Sequence, residues 1–234
     1  MLTAEEKKLI SLAPFNIPAL FDIHLENNLP LIQEFGHTHT LDKGQMLLRP
    51  EETIETVHFL TKGIIAESTS NANGLEKLSL IYPCYPEALS ATLHQQPIVY
   101  TAYAFTPCEI ISLPIGALLM LMQDNCSLLE NILRLLALEA RNANNLILQN
   151  YSSSTTEKIY QTLYFYYLTA QHYAPLRTLK LSQQLIAGLS GVHRTSVNAA
   201  LKHLKEAQII NLDKKVLTVT DPEALKELAF VEME

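Results

Sequence analysis

Arg194, Thr195, Asn198 and Lys202 fall at helical spacing on one face of the segment Leu181 to Ile210. Together they offer a guanidinium, a hydroxyl, an amide and an ammonium group. A guanidinium or amide near the start of a helix pairs with base edges in the major groove of DNA, and an ammonium group meets phosphate. Ser196 and Ala199 belong to the same surface, His193 stands at the cap position, and Lys180 precedes the segment. Such side chains reach DNA only if their helix is held by its other face. Ile186, Ala187 and Leu189 give a first short helix its buried side, a tight turn falls at Gly191, and Val197, Leu201 and Leu204 form a separate stripe on the second helix. The predicted unit is a helix-turn-helix, with an ordinary helical hairpin as the alternative.

The residues that follow favour the first reading. Gln208-Ile209-Ile210 begins a short strand, Asp213-Lys214-Lys215 a polar turn, and Val216, Thr218 and Thr220 alternate with Leu217 and Val219 in a return strand. Such a hairpin is a wing. Asp221-Pro222-Glu223 places a capping residue before a proline, which predicts a terminal helix through Leu225 and Leu228.

This order of parts resembles the Crp/Fnr family of bacterial transcription regulators. The resemblance is carried by Ile186-Ala187, Gly191-Val192, Arg194, Ser196-Val197, Leu201, Leu204 and Ile209-Ile210, and it extends over nearly the whole chain. It implies an α+β protein: an amino-terminal antiparallel β-roll like that of cyclic-nucleotide-binding domains (1–116), a long dimerisation helix (117–151) and a carboxyl-terminal winged helix-turn-helix (152–234).

Composition agrees. A chain of 234 residues, 48% hydrophobic, has enough apolar surface for two cores. Its net charge of -7 is unevenly placed: residues 1–151 hold 8 Lys and Arg against 16 Asp and Glu, whereas 152–234 hold 9 against 8. DNA binding must therefore rest on where the cations sit, with Arg194, Lys202, Lys205, Lys180 and Lys214-Lys215 as the phosphate candidates. Glu5-Glu6 beside Lys7-Lys8, with Pro14 and Pro18 beyond, argue against a signal peptide. No run approaches the ~20 apolar residues of a membrane span. Three scattered cysteines, Cys84, Cys108 and Cys126, argue for a reducing compartment. The expectation is a cytoplasmic protein with no membrane partner.

From Thr38 to Leu113 glycine turns at Lys43-Gly44, Lys62-Gly63 and Asn73-Gly74 separate short apolar strands, and residues 98–113 read as closing strands. The resemblance places an effector pocket here, yet the residues depart from the nucleotide-binding members. Those capture the cyclic phosphate with a Gly-Glu pair and an Arg-Ser pair. Here the Arg-Ser positions fall on Ile98-Val99, the glycine-rich approach is Tyr82-Pro83-Cys84-Tyr85-Pro86-Glu87, and no Lys or Arg lies between Lys77 and Arg134. Glu87 is the candidate for the glutamate. A cyclic phosphate buried without a cation is strongly disfavoured, so cyclic AMP is not expected as effector. Tyr82, Tyr85, Tyr100, Tyr103 and Phe105 suit a small, weakly polar or aromatic ligand. The alternative is that the rings fill a pocket that binds nothing.

No metal or cofactor is expected. An iron-sulfur cluster needs crowded cysteines, and none precedes Cys84. His58, His94 and Cys84 are isolated candidates for haem, and His37 with His39 lacks a third ligand. With no phosphate loop, nucleophile motif or metal set, the chain does not read as an enzyme.

Leu129, Leu133, Leu136, Ala140, Ala143 and Ile147 recur at intervals of four and three, the seam of a two-stranded coiled coil, so a homodimer is expected. Leu128, Ile132 and Leu135 form a second stripe able to lie on the β-roll. After Tyr151 a run of Ser and Thr reads as a hinge, and Ser154 with Glu157 is a capping box for a new helix. The expected function is that of a dimeric regulator reading an inverted repeat of double-stranded DNA under control of an unknown small-molecule effector, with RNA polymerase as a further partner. The second reading is a ligand-binding dimer whose helix-turn-helix has lost DNA.

Overall fold

Val57 and Phe59 are fully buried while Thr56 and His58 are half-buried, the period of two that marks a strand with one face on a core. The computed structural model describes residues 2–72, 74–213 and 216–230. In chain order it forms α1 (Ala4–Ile10), β1 (Phe15–Asn16), α2 (Leu29–Phe35), β2 (His37–Leu41), β3 (Met46–Leu48), β4 (Thr56–Lys62), β5 (Ile65–Ser70), β6 (Glu76–Ile81), β7 (Pro86–Glu87), α3 (Leu89–His94), β8 (Thr101–Ala104) and β9 (Cys108–Pro114). There follow α4 (Ile115–Asp124), α5 (Cys126–Ser152), α6 (Thr155–His172), α7 (Gln183–Ser190), α8 (Arg194–Glu206), β10 (Ile210–Asp213), β11 (Val216–Val219) and α9 (Pro222–Ala229). Two compact units result, one of Phe15–Thr69 with Ser79–Arg141, the other of Met1–Pro14, Ser70–Leu78 and Asn142–Glu234.

The first of these is the β-roll. One sheet runs β1-β6-β5-β8-β3 and the other β2-β9-β4-β7. Gly44 and Gly63 carry positive φ, as read from the sequence, but both turns move the chain from one sheet to the other instead of closing a hairpin. At Gly63 the constraint is steric as well, because a Cβ would stand 2.3 Å from the Pro107 carbonyl oxygen. The third turn, at Asn73-Gly74, lies partly outside the described residues. Leu48, Leu60, Ile65, Ile81, Ile98 and Ile110 fill the space within the roll. Outside it, Val57, Phe59, Ile111 and Leu113 meet Leu118 of α4 and Leu128, Ile132 and Leu135 of α5. Each such fully buried side chain is worth about 1.5–3 kcal/mol.

The segment read as one helix over 117–151 is two. The break falls at Asn125, whose Oδ1 accepts the Leu128 N–H at 2.9 Å and so caps the start of α5. The two stripes of α5 separate as expected: Leu128, Ile132 and Leu135 are buried, whereas Leu133 and Ile147 are 56% and 55% exposed. Leu129 and Leu136 are half-buried, and Ala140 and Ala143 are exposed.

In the second unit α6 is the central helix. Ser154 and Glu157 form the predicted box, the hydroxyl accepting the Glu157 N–H at 3.3 Å and the carboxylate the Ser154 N–H at 2.6 Å. Ile159, Leu163 and Phe165 are buried along α6, and Phe230 meets Tyr164 edge-on at 5.8 Å. β10 and β11 pair antiparallel as the wing, and Asp221 caps α9 through the Ala224 N–H at 3.1 Å. Lys214 and Lys215 lie outside the described residues.

Candidate functional site

α7 opens on Ser182, whose hydroxyl accepts the Leu185 N–H at 3.1 Å. It closes on Gly191 at φ 66°, where the Gly191 and Val192 N–H groups return to the carbonyls of Gly188 and Ala187. That left-handed cap needs glycine, and it turns the chain straight into α8. Val197, Leu201 and Leu204 are buried on the inner face of α8, and Tyr160 of α6 bonds His203 at 2.9 Å near its end. Arg194, Thr195, Asn198, Ala199 and Lys202 are all exposed and Ser196 half-buried, so the sequence-predicted readers do share one outer face.

The electrostatics of that face leave its cations available. Arg194 Nη2 reaches Gln183 Oε1 at 3.4 Å, a long bond that a base or phosphate oxygen can replace. Lys202 and Glu206 stand 3.8 Å apart in water, a pair of small value. Lys180 lines the same 670 Å³ groove as Arg194, Ser182, Gln183 and Gln184. His193 makes no side-chain cap, so the first amides of α8 keep no side-chain acceptor, an arrangement that suits an anion.

In the β-roll the structure brings together Tyr85, Glu87 and Tyr100 of the residues expected to face an effector, and sets two further carboxyls beside them. Tyr100 donates to Glu87 Oε1 at 2.6 Å, and Tyr85 donates to Glu139 Oε1 on α5. Glu67 of β5 adjoins Glu87. Three carboxyls and two phenols thus meet where the sequence suggested one glutamate among rings. Burial, and then the neighbouring Glu87, raises Glu67 well above the usual carboxylate range; burial likewise lifts Glu87 to about 7 and raises Glu139, against hydrogen bonds that lower them. Burial and adjacent carboxylates push both tyrosines up. The cluster therefore holds protons near neutral pH, and no cation is among the causes acting on its members. Tyr103 is not part of it, since it alternates with Ala102 and Ala104 on the other face of β8, and Tyr82 is buried at the end of β6.

The chain around the cluster keeps a strained path. Cys84 and Ala88 hold φ of 72° and 65°, a region costing non-glycine residues about 1–2 kcal/mol each. Ile98 is buried in the roll and Val99 is 80% exposed, so neither Arg-Ser position carries polar chemistry. Burial pushes the Cys84 thiol up to about 11 and raises Cys108 too, leaving both poor nucleophiles. His58 bonds Ser112 at 2.8 Å and is pulled down to about 4 by burial and by His39, hence neutral. Among the described residues no group of three His, Cys, Asp or Glu could hold a metal.

Glu67 and Glu139 were not singled out from the sequence, although one signal existed. Leu128, Ile132 and Leu135 define a buried stripe whose next member, four residues on, is Glu139.

Residues 38–125 match the cyclic nucleotide-binding domain and residues 157–228 the Crp-like helix-turn-helix domain. The global nitrogen regulator of Synechocystis sp. is 28% identical over 218 residues, 80% of this chain and 86% of that protein. The cAMP-activated global transcriptional regulator CRP of Pasteurella multocida is 25% identical over 188 residues, 78% and 90% of the two chains. Among solved structures, a variant of CprK complexed with OCPA superposes with a TM-score of 0.68 at 20% identity, over 93% of this chain and 97% of that one. FixK2 from Bradyrhizobium japonicum gives 0.67 at 16%, over 82% and 96%. No described helix is long and apolar enough to cross a membrane.

Proposed function

The chain belongs to the Crp/Fnr family of transcription regulators, and from that premise we propose that it acts as a homodimer on an inverted repeat, governed by an effector other than cyclic AMP. Its helix-turn-helix is a DNA-binding domain of the Crp type, and its relatives are regulators, with no enzymatic family indicated. The exposed face of α8 carries the reading: Arg194 supplies a bidentate donor for guanine, Asn198 an amide for adenine, and Thr195 and Ala199 methyl groups for thymine. Ser196, Lys202, Lys180 and the amides after His193 position the backbone. Leu129, Leu133, Leu136, Ala140, Ala143 and Ile147 form the dimer seam. Two-fold symmetry then sets half-site centres about one helical turn, ~34 Å, apart.

In the β-roll, Tyr85, Glu87 and Tyr100 are the effector-facing groups. Raised carboxyls leave this cluster without a counter-charge for phosphate, which supports a neutral or weakly polar ligand over a cyclic nucleotide. An effector shifts DNA affinity by no more than its own preference between the two states of the protein. RNA polymerase is the further partner of the bound dimer, and the cytoplasm its place of action.

The test is selection of binding sites from random duplex DNA at ~50 and ~200 mM salt, where phosphate-led binding falls steeply. The expected result is an inverted repeat with one G·C pair critical in each half, lost with Arg194→Ala. Recovery of no common sequence, with or without cell extract, would refute the reading.

A further inference from the structure

Leu80 and Ile81, at the end of β6, pair with Phe15 and Asn16 in the sheet of the β-roll. The first residues of the same strand, with those just before them, group with the compact unit that contains the helix-turn-helix, which takes in Ser70–Leu78. Three contacts within that unit account for it. Lys77 Nζ donates to the carbonyl oxygen of Leu189, in the last turn of α7, at 2.5 Å. This fills a hydrogen-bonding site that a helix end leaves open, and sets a cation at the negative pole of the helix. Leu78 is buried, and its Cδ1 stands 2.5 Å from where a Cβ on Gly188 would be. The Lys77 Cδ lies 3.1 Å from the corresponding position on Gly191.

Gly188 is the sixth residue of an eight-residue helix, a place where glycine is a poor choice by roughly 0.5–1 kcal/mol against alanine. Its hydrogen side chain makes the seat for Leu78. Lys77 is exposed as a residue, yet its ammonium is drawn down to about 8 by burial and then by Lys158 of α6. The contact thus joins a capped helix end to an interlocked apolar seat. It also lies at the Gly191 turn, the point that sets α8 against α7, while Arg194, Asn198 and Lys202 remain exposed.

We propose that Lys77 and Leu78, at the start of β6, are a strap that clasps α7 and conveys the state of the sensory sheet to the DNA reader along β6. It works by ordering the reader, because it covers none of the reading side chains. Ordering matters little for one half-site, which needs a single α8. It matters for two half-sites bound together, since a second contact gains only from a first that holds it in place. The inference rests on the reading of the protein as a dimer on an inverted repeat.

Gly188→Ala tests the strap, because alanine favours the helix while its methyl group displaces Leu78. Binding of the full-length protein is measured on the selected inverted repeat and on a duplex with one half-site scrambled. Gly188→Ala should weaken full-site binding by about tenfold, leave the single half-site unchanged, and be largely rescued by adding Leu78→Ala, which empties the seat's occupant. Full-site binding that is unchanged or tighter, an equal loss on both duplexes, or no rescue in the double variant would overturn the proposal. A second measurement needs no DNA: in Leu78→Cys, peptide mass spectrometry should show that thiol labelled slowly by a maleimide, and rapidly once Gly188→Ala is added. Rapid labelling in both would overturn the strap even if the operator reading stands, whereas failure to select any operator would strike the dimeric reading alone.

Discussion

Glu87→Gln should make the protein more stable at pH 8 and make little difference at pH 4.5. Glutamine keeps the shape of the side chain and an oxygen able to accept the Tyr100 hydroxyl, so the 2.6 Å bond survives and only ionisation is removed. The folded-state pKa of Glu87 is raised, to about 7 from 4.5, principally by burial. For a raised carboxyl the folded state holds a proton that the unfolded state has released, so stability is full below the unfolded value and declines as pH rises through 4.5 to 7. At 1.36 kcal/mol for each unit, the whole shift corresponds to ~3 kcal/mol, an upper figure because Glu67 and Glu139 share the burden of the site. Urea denaturation of both proteins at pH 4.5, 6, 7 and 8 measures it. The difference between variant and wild type should grow toward pH 8 in favour of the variant, with most of the growth between pH 5 and 7.5. Parallel pH profiles, or a variant that loses ground as pH rises, would refute the claim that this carboxyl is protonated by its surroundings.

Other outcomes follow from the same geometry. Lys202→Ala should reduce the slope of log K against log salt by about 1 while leaving the selected sequence unchanged, as titration at four salt concentrations would reveal. Leu133→Asp places a charge on the exposed stripe of α5, and sedimentation should then return the 26.3 kDa monomer with the fold intact by circular dichroism; a persistent dimer would move the seam elsewhere. Calorimetry with millimolar cyclic AMP should give no saturable heat, and a micromolar isotherm would refute the proposal of an effector other than cyclic AMP.

Local chemistry made the reader legible. The Gly191 turn, the Ser154–Glu157 box, the Asp221 cap and the two stripes of α5 each follow from residues within one or two turns of each other, and the structure has them in place. Long-range packing was less so. Glu67, Glu87 and Glu139 lie on β5, β7 and α5, and nothing in the spacing of three glutamates reveals that folding will bring them together. The pairing of β1 with β6 depends on two residues, too few for a pattern. Gly44 and Gly63 were visible as turns, but whether a turn closes a hairpin or passes to a second sheet is decided by partners such as Pro107. The break at Asn125 has no mark in the apolar periodicity, which runs on through it.

Cys84 and Ala88 hold a backbone shape that their own side chains disfavour. Both hold backbone angles suited to glycine, in the stretch that the resemblance sets against a glycine-rich approach, and no Lys or Arg lies between Lys77 and Arg134. A backbone route fixed by the surrounding sheets changes slowly, since moving it would disturb every strand it joins, whereas side chains along it can be exchanged singly. The route therefore constrains the backbone here whatever the side chains along it bind. It also leaves two positions where glycine would relax the loop without altering any member of the acidic cluster.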